Sequence, residues 1–421
     1  MFRKSARHVL PLVRSWVAYA ALPAAGIITA PILAHALGPE GRGQLSGILQ
    51  PMTLASAIAA LGVPSAVTYF IGQGTAPVWV SKLAVRISAL VTLLVSVGLL
   101  LYSDPVAAQL GVDRGLILLI WIAFLPSAFV SIRRAHLQGL RRYATLDLER
   151  SLGAALRVGV IVLLWLAGVQ SVIIVAAAYM IAGLTASVVL RLPADRSNED
   201  SLANPRILSG RTFLRYSLLS SFGTIAAAMS ARLDQALMPA IVPAAALGYY
   251  SAAVSVAEIP TIATMVAVRN VLAEVSGGFT RRAIARSVLI GGTGQLLMIL
   301  AISCAIPYVL PWVFGADFAP AIALVQVLLL GAFVSYGASV ATAYLAGVGR
   351  PGLGSIVQAV AAFVTALLFW VNWEHMDAPR AAWISVWSQI VALLVAVTLI
   401  GWMFWRATNR SPAEHAFVEV G

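Results

Sequence analysis

The chain is short of nearly everything that soluble chemistry requires. Charged residues make up 10% of its 421 positions, and only Lys4 and Lys82 stand among 28 basic residues. Its single cysteine, Cys304, excludes an intrachain disulfide. No GxxxxGK[ST] loop is present to cradle nucleotide phosphates, so this chain does not hydrolyse ATP by that route. Neither CxxC nor HExxH occurs, and His8, His35, His136, His375 and His415 are scattered, so no metal or other resident cofactor is expected. The longest polar stretch, Arg191–Arg211, is too short to fold as a catalytic domain. A non-enzymatic protein is expected.

Apolar sequence fills the space that these absences leave. Hydrophobic residues reach 60%, and mean hydropathy is +0.91. About twelve apolar runs read as spans near residues 16–37, 45–72, 83–102, 115–132, 151–168, 171–190, 212–241, 246–273, 288–310, 321–346, 353–371 and 381–405. A hydrocarbon core needs about 20 apolar residues per crossing helix. Only helices and closed barrels satisfy their backbone there, and runs of this length exclude strands. The fold class is therefore an all-α membrane protein with about twelve transmembrane helices. Ala34-His35-Ala36 resembles a secretory cleavage site, but the preceding apolar stretch exceeds a signal core, and retention is expected.

A formal charge of +12 raises nucleic acid as a partner, and its distribution argues against it. With the N-terminus placed in the cytoplasm, 22 of the 28 Lys and Arg fall on the cytoplasmic side, counting span margins with their links. Only Arg42, Arg114 and Arg380 fall in opposite-side links, and Arg157, Arg232 and Arg269 lie within spans. This is the positive-inside pattern, with both termini cytoplasmic and anionic membrane lipids as neighbours. The basicity orients the chain. Aromatic residues near span ends, Trp16, Trp79, Tyr102, Trp312 and Trp405 among them, read as interfacial anchors.

The charged link divides the runs six and six: residues 1–190 form one six-helix bundle, 191–211 a cytoplasmic linker, 212–405 a second bundle and 406–421 a cytoplasmic tail. The halves echo each other. Leu37–Gln44 and Val242–Tyr249 align at an offset of 205 if Gly43 matches Gly248, and Gly139 and Gly347 follow at 208. An even-numbered unit duplicated this way inserts both copies with one orientation, leaving a cleft between them. Pro23, Pro31, Pro51, Pro64, Pro126 and Pro260 lie within runs, each removing a backbone donor, and a bend in the first run is expected.

Charges inside the runs carry the functional information. An Arg or Asp at a helix centre costs about 2.5–3.5 kcal/mol facing lipid. Arg157, Arg232, Asp234, Glu258 and Arg269 should therefore line a polar interior. Arg157 lies roughly 9 Å into its run and could snorkel, as could Arg269. Arg232, roughly 13 Å deep, and Glu258, roughly 18 Å deep, have no such escape. Arg232 and Asp234 are two positions apart and project to opposite sides of a helix. Arg232 should meet the cleft or Glu258, and Asp234 another helix or the outer vestibule. Surplus guanidinium suits an anionic cargo, with Arg232, Arg157 and Arg269 as its binding candidates. Glu258 and Asp234 are candidates to take up Na⁺ or H⁺ and couple its gradient. Asp147 and Glu149 share a link with five Arg and read as a solvated charge cluster.

Ala36–Leu45, Leu61–Ala66, Arg232–Gln235, Leu247–Tyr250 and Gly349–Pro351, taken in order over essentially the whole chain, resemble bacterial polysaccharide flippases of the Wzx type. These belong with MATE exporters and the lipid II flippase in one superfamily. The resemblance implies two six-helix bundles in a V, alternating access and the bacterial cytoplasmic membrane. It also implies movement of an undecaprenyl-pyrophosphate-linked oligosaccharide to the outer leaflet, and other polysaccharide-assembly proteins as partners. Where members commonly carry an aromatic in the first turn, this chain has Arg42. The alternatives are a MATE-like ion-coupled exporter of small molecules and a non-transporting scaffold or enzyme of polysaccharide synthesis.

Overall fold

The computed structural model describes residues 2–191 and 209–409, with 2–13, 15–17, 19 and 407–409 described by their backbone alone. Most of the charged link, the tail from residue 410 and the Trp16 side chain lie outside this description. Among the described residues the chain is helical and forms no sheet. The helices are α1 (Phe2–Ala60), α2 (Val63–Gly72), α3 (Pro77–Leu110), α4 (Arg114–Trp121), α5 (Phe124–Gly139), α6 (Tyr143–Leu166) and α7 (Val172–Ala186). After the link come α8 (Gly210–Leu237), α9 (Ala244–Ala257), α10 (Thr261–Ser276), α11 (Arg281–Phe314), α12 (Ala321–Gly347), α13 (Pro351–Val371) and α14 (Ala378–Asn409). Among the described residues, eight helical stretches are long and apolar enough to cross a bilayer, or nine if the α9–α10 pair counts as one span. Residues 20–60 count as one of these although Gly38 breaks them, and the charge-bearing α6 and α8 fall outside the count. The protein is a multi-pass membrane protein.

The outward faces confirm the solvent. On α3, Leu90, Leu93, Leu94, Val97 and Leu101 are all exposed, and their spacing of three and four forms one stripe. On α11, Tyr308 and Trp312 are the most exposed of the large apolar side chains among the described residues. A soluble protein hides such stripes; here hydrocarbon covers them.

Breaks occur where the backbone demands glycine or lacks a donor. In α1 the non-helical residue is Gly38, at φ 65° and ψ −176°, a region that essentially only glycine enters. Pro39 then sits at the first turn of the new helix, where its missing N–H is no loss. The expected link before residue 45 thus contracts to one residue. Pro23 and Pro31 keep helical dihedrals, and the non-helical break in α1 falls at Gly38, at the end of the first run. Leu61 and Gly62 are both left-handed and separate α1 from α2, with Pro64 in the first turn of α2. Between α9 and α10 the axis bends by 46° at Pro260. Proline there cannot donate to Val256, whose carbonyl accepts from Ile259 instead.

α1 is the hub. It packs on α3, α6 and α7 of its own half and on α8 and α9 of the other. Within the second half, α12 packs on α10, α13 and α14, and α13 on α8. The largest buried cluster crosses between halves and includes Ile48, Leu110, Ile117, Met238, Val242, Leu247 and Tyr250. It lies at the arginine-poor end, where Gln44 donates to the Leu110 carbonyl at 3.0 Å. A second cluster joins α2, α3, α5 and α8 through Val67, Val80, Ile132 and Phe213.

One sequence reading is overturned outright. Asp147 and Glu149 are not solvated: each is about 2% exposed. Arg134 of α5 grips Glu149 with two donors, at 2.6 and 3.2 Å, and Arg14 of α1 reaches Asp147 at 3.1 Å. Two positions apart on α6, the carboxylates face different neighbours, Asp147 toward α1 and Glu149 toward α5, because this part of α6 is covered on more than one side.

Candidate functional site: charges at the meeting of α1, α8 and α9

α8 presents Arg232 and Asp234 in opposite directions, as their spacing requires. Arg232 Nη1 lies 2.8 Å from Glu258 Oε1, and the two side chains remain 34% and 48% exposed. Glu258 caps the end of α9, immediately before the bend at Pro260, so the ion pair joins α8 to the elbow of the bent pair. Asp234 turns into the core. Its carboxylate accepts a short hydrogen bond from the Tyr250 hydroxyl of α9 and another, at 2.8 Å, from the Gln235 backbone. Tyr250 is fully buried, and this neighbour is the other helix that Asp234 meets.

Arg157 lies elsewhere, between α6 and α7. Its guanidinium stands 4.7 Å from the Tyr179 ring centroid, and Nη2 is 2.9 Å from where a Cβ on Gly183 would be. Glycine at 183 thus makes room for the arginine. The Arg157 Nε is buried and has no hydrogen-bond partner among the described residues. Arg269 lies on an exposed part of α10, beyond the bend. The structure therefore joins Arg232 with Glu258 and Asp234 with Tyr250, and keeps Arg157 apart from both.

Arg42 is the residue whose setting the sequence reading missed. Rather than lying in an outer link, it sits inside α1 and is 8% exposed. Its Nη1 donates to the Ala30 carbonyl at 3.2 Å, and Nη2 to Ser255 Oγ of α9 at 3.0 Å. The signal was present: Pro39 opens a helix in which no later residue stops the turn before Leu61. On the other face of this helix, His35, Glu40, Gln44 and Gln170 line an open cavity of about 440 Å³. Among the described residues no cluster of three His, Cys, Asp or Glu could hold a metal.

Two sets of apolar helices meet through α1, and the half-exposed Arg232–Glu258 pair stands at the bend in the second. Solved structures share this fold at low identity. An inward-facing multidrug resistance MATE family transporter of the MOP superfamily matches with TM-score 0.69 and 14% identity, over 94% of this chain and 98% of that one. The lipid II flippase MurJ in an inward closed conformation matches with TM-score 0.71 and 10% identity, over 93% and 87%. An outward-facing MATE structure matches less well, at TM-score 0.55 and 14% identity over 93% and 95%. Among curated protein sequences none matches significantly. The pattern of the family described as "Polysaccharide biosynthesis protein" covers residues 15–273, well over half of the chain. This protein belongs to that family, and it shares its fold with the transporter and flippase structures above.

Proposed function

We propose that the protein carries a lipid-linked oligosaccharide, joined through pyrophosphate to an isoprenoid such as undecaprenol, from the cytoplasmic to the outer leaflet of the bacterial cytoplasmic membrane. Twelve crossings in two six-helix bundles, both termini cytoplasmic, would give the halves the freedom to alternate. An amphiphile with a large polar head cannot cross hydrocarbon unaided. A wet gap between bundles lets the head pass while the tail stays in lipid. The observation that carries this reading is the Arg232–Glu258 pair, two half-exposed charges held at the elbow of a bent helix within an apolar molecule. Exposed there, they need water or a polar cargo beside them. Arg232 can meet a phosphate with two parallel donors once Glu258 swings away. Arg157 and Arg269 are further cationic candidates along the path. Glu258 and Asp234 are the groups through which Na⁺ or H⁺ would couple. Family membership and the likeness to inward-facing structures support the same reading.

The test is reconstitution in liposomes with a fluorescent lipid-pyrophosphate oligosaccharide, scoring leaflet exchange with and without an ion gradient. Exchange above protein-free vesicles supports the proposal; none for any glycan defeats it. The MATE-like likeness favours a second reading, ion-coupled export of small molecules. Efflux of small cationic dyes without lipid exchange would select it.

A further inference from the structure

The two halves meet at a contact that repeats itself. A Cβ on Gly43 would stand 1.7 Å from the Ala244 carbonyl oxygen, and a Cβ on Gly248 1.8 Å from that of Pro39. Pro39 and Ala244, like Gly43 and Gly248, are 205 positions apart. Each half therefore offers the same carbonyl and the same glycine to the other, as across a two-fold axis. By this register the counterpart of Arg42 is Leu247, which is fully buried.

One half thus places leucine beside the axis where the other places a guanidinium. Packing alone does not call for the charge. Burying it is far less favourable than burying leucine unless it is paired. Among the described residues Arg42 makes no ion pair: it meets a carbonyl, a hydroxyl and, at 6.0 Å, the Phe314 ring. Its Nε is buried with no hydrogen-bond partner among those residues. The contact with Ser255 crosses between halves, and Ser255 lies one turn before Glu258 on α9, so both point along the same side of that helix. The guanidinium therefore lies across the contact between the halves, one helical turn along α9 from the Arg232–Glu258 pair.

We propose that Arg42 is a second anion-binding group, covered in this arrangement and uncovered when the halves part at the arginine-poor end, where it takes the phosphate head of the cargo before release. The inference rests on the transport reading above. Parting there breaks the Ser255 bond and frees Nη2 beside the unpartnered Nε, two donors suited to adjacent phosphate oxygens. The charge asymmetry about the axis gives the head a different cation at each end of its path, Arg232 first and Arg42 last.

Two variants separate charge from packing. R42Q keeps a donor for Ala30 or Ser255 and loses the charge; R42L adopts the residue that the other half uses. Both should unfold at or above the wild-type temperature, because a buried cation is removed. Lipid exchange should fall at least tenfold in each. In detergent, farnesyl pyrophosphate should bind R42Q at least fivefold more weakly than wild type, with inorganic pyrophosphate competing only at higher concentration. Equal competition would assign the site to free pyrophosphate rather than a lipid head and overturn the cargo role. Wild-type exchange in R42Q also overturns the proposal, as does lost exchange that only tracks lost thermal stability. If wild-type protein exchanges no lipid, the transport reading fails by itself, and farnesyl pyrophosphate binding still decides Arg42.

Discussion

Arg232 and Asp234 illustrate how two residues of one helix take different roles. The half-exposed Arg232–Glu258 pair resembles a surface ion pair energetically, worth less than about 1 kcal/mol. R232A should therefore leave the unfolding temperature nearly unchanged while lowering lipid exchange at least tenfold. Exchanging the charges, R232E with E258R, asks what the pair is for. Recovered exchange would mean that the pair only ties α8 to the elbow, and continued loss that cargo needs the guanidinium on α8. Asp234 and Tyr250 form the opposite case, a buried bond whose loss strands one partner. D234A and Y250F should each destabilise the fold by about 1–3 kcal/mol, and the double variant by less than their sum, measured by thermal unfolding. Spacing made the divergence of Arg232 and Asp234 legible in the sequence. It did not reveal which neighbour each would find, because Tyr250 and Glu258 reach α8 only through the packing of α9.

Among the elements, breaks matter more than lengths. Gly38, Leu61–Gly62 and the bend before Thr261 turn continuous apolar runs into pairs of helices with different axes. Proline marked some of these places and not others. Pro64 and Pro260 stand in or at the start of the first turn after a break, whereas Pro23, Pro31 and Pro51 stay within α1. A missing donor is tolerated when neighbouring groups absorb the loss, so composition alone could not tell these cases apart. Glycine was the better guide only where its dihedrals were needed. G38A should cost about 1–3 kcal/mol through strain at positive φ, without any lost contact. The buried carboxylates of α6 supply a further test. R134A leaves Glu149 buried and unpaired and should destabilise the protein by about 3–5 kcal/mol in chemical or thermal unfolding. Reading Asp147 and Glu149 as solvated failed because five nearby Arg suggested a loop, while the helix continued and turned them inward.

For the molecule as a whole, the duplicated sequence register and the contact between halves are one fact seen twice. The offset of 205 was visible in Leu37–Gln44 and Val242–Tyr249; the backbones at Gly43 and Gly248 touch at that same offset. Because the contact is reciprocal, G43A and G248A should destabilise by similar amounts, about 1–3 kcal/mol for the overpacking. Orientation can be tested independently. In a C304A background, a cysteine at Val169 should react with an impermeant thiol reagent added outside intact cells. A cysteine at Arg141 should react only after the membrane is opened, as the distribution of arginine requires.

Hydrophobic run length and charge asymmetry are one-dimensional properties, read directly by the bilayer and its potential. For that reason the sequence by itself determined the membrane class, the helical content, the expected sidedness and the likeness of the halves. Partnership is three-dimensional. Whether a charge meets a carboxylate, a ring or a neutral carbonyl depends on which helices cross and where they bend. Only the tertiary structure decided that Glu258 faces Arg232, that Asp234 is sealed with Tyr250, and that Arg42 meets a carbonyl and a hydroxyl where the two halves touch.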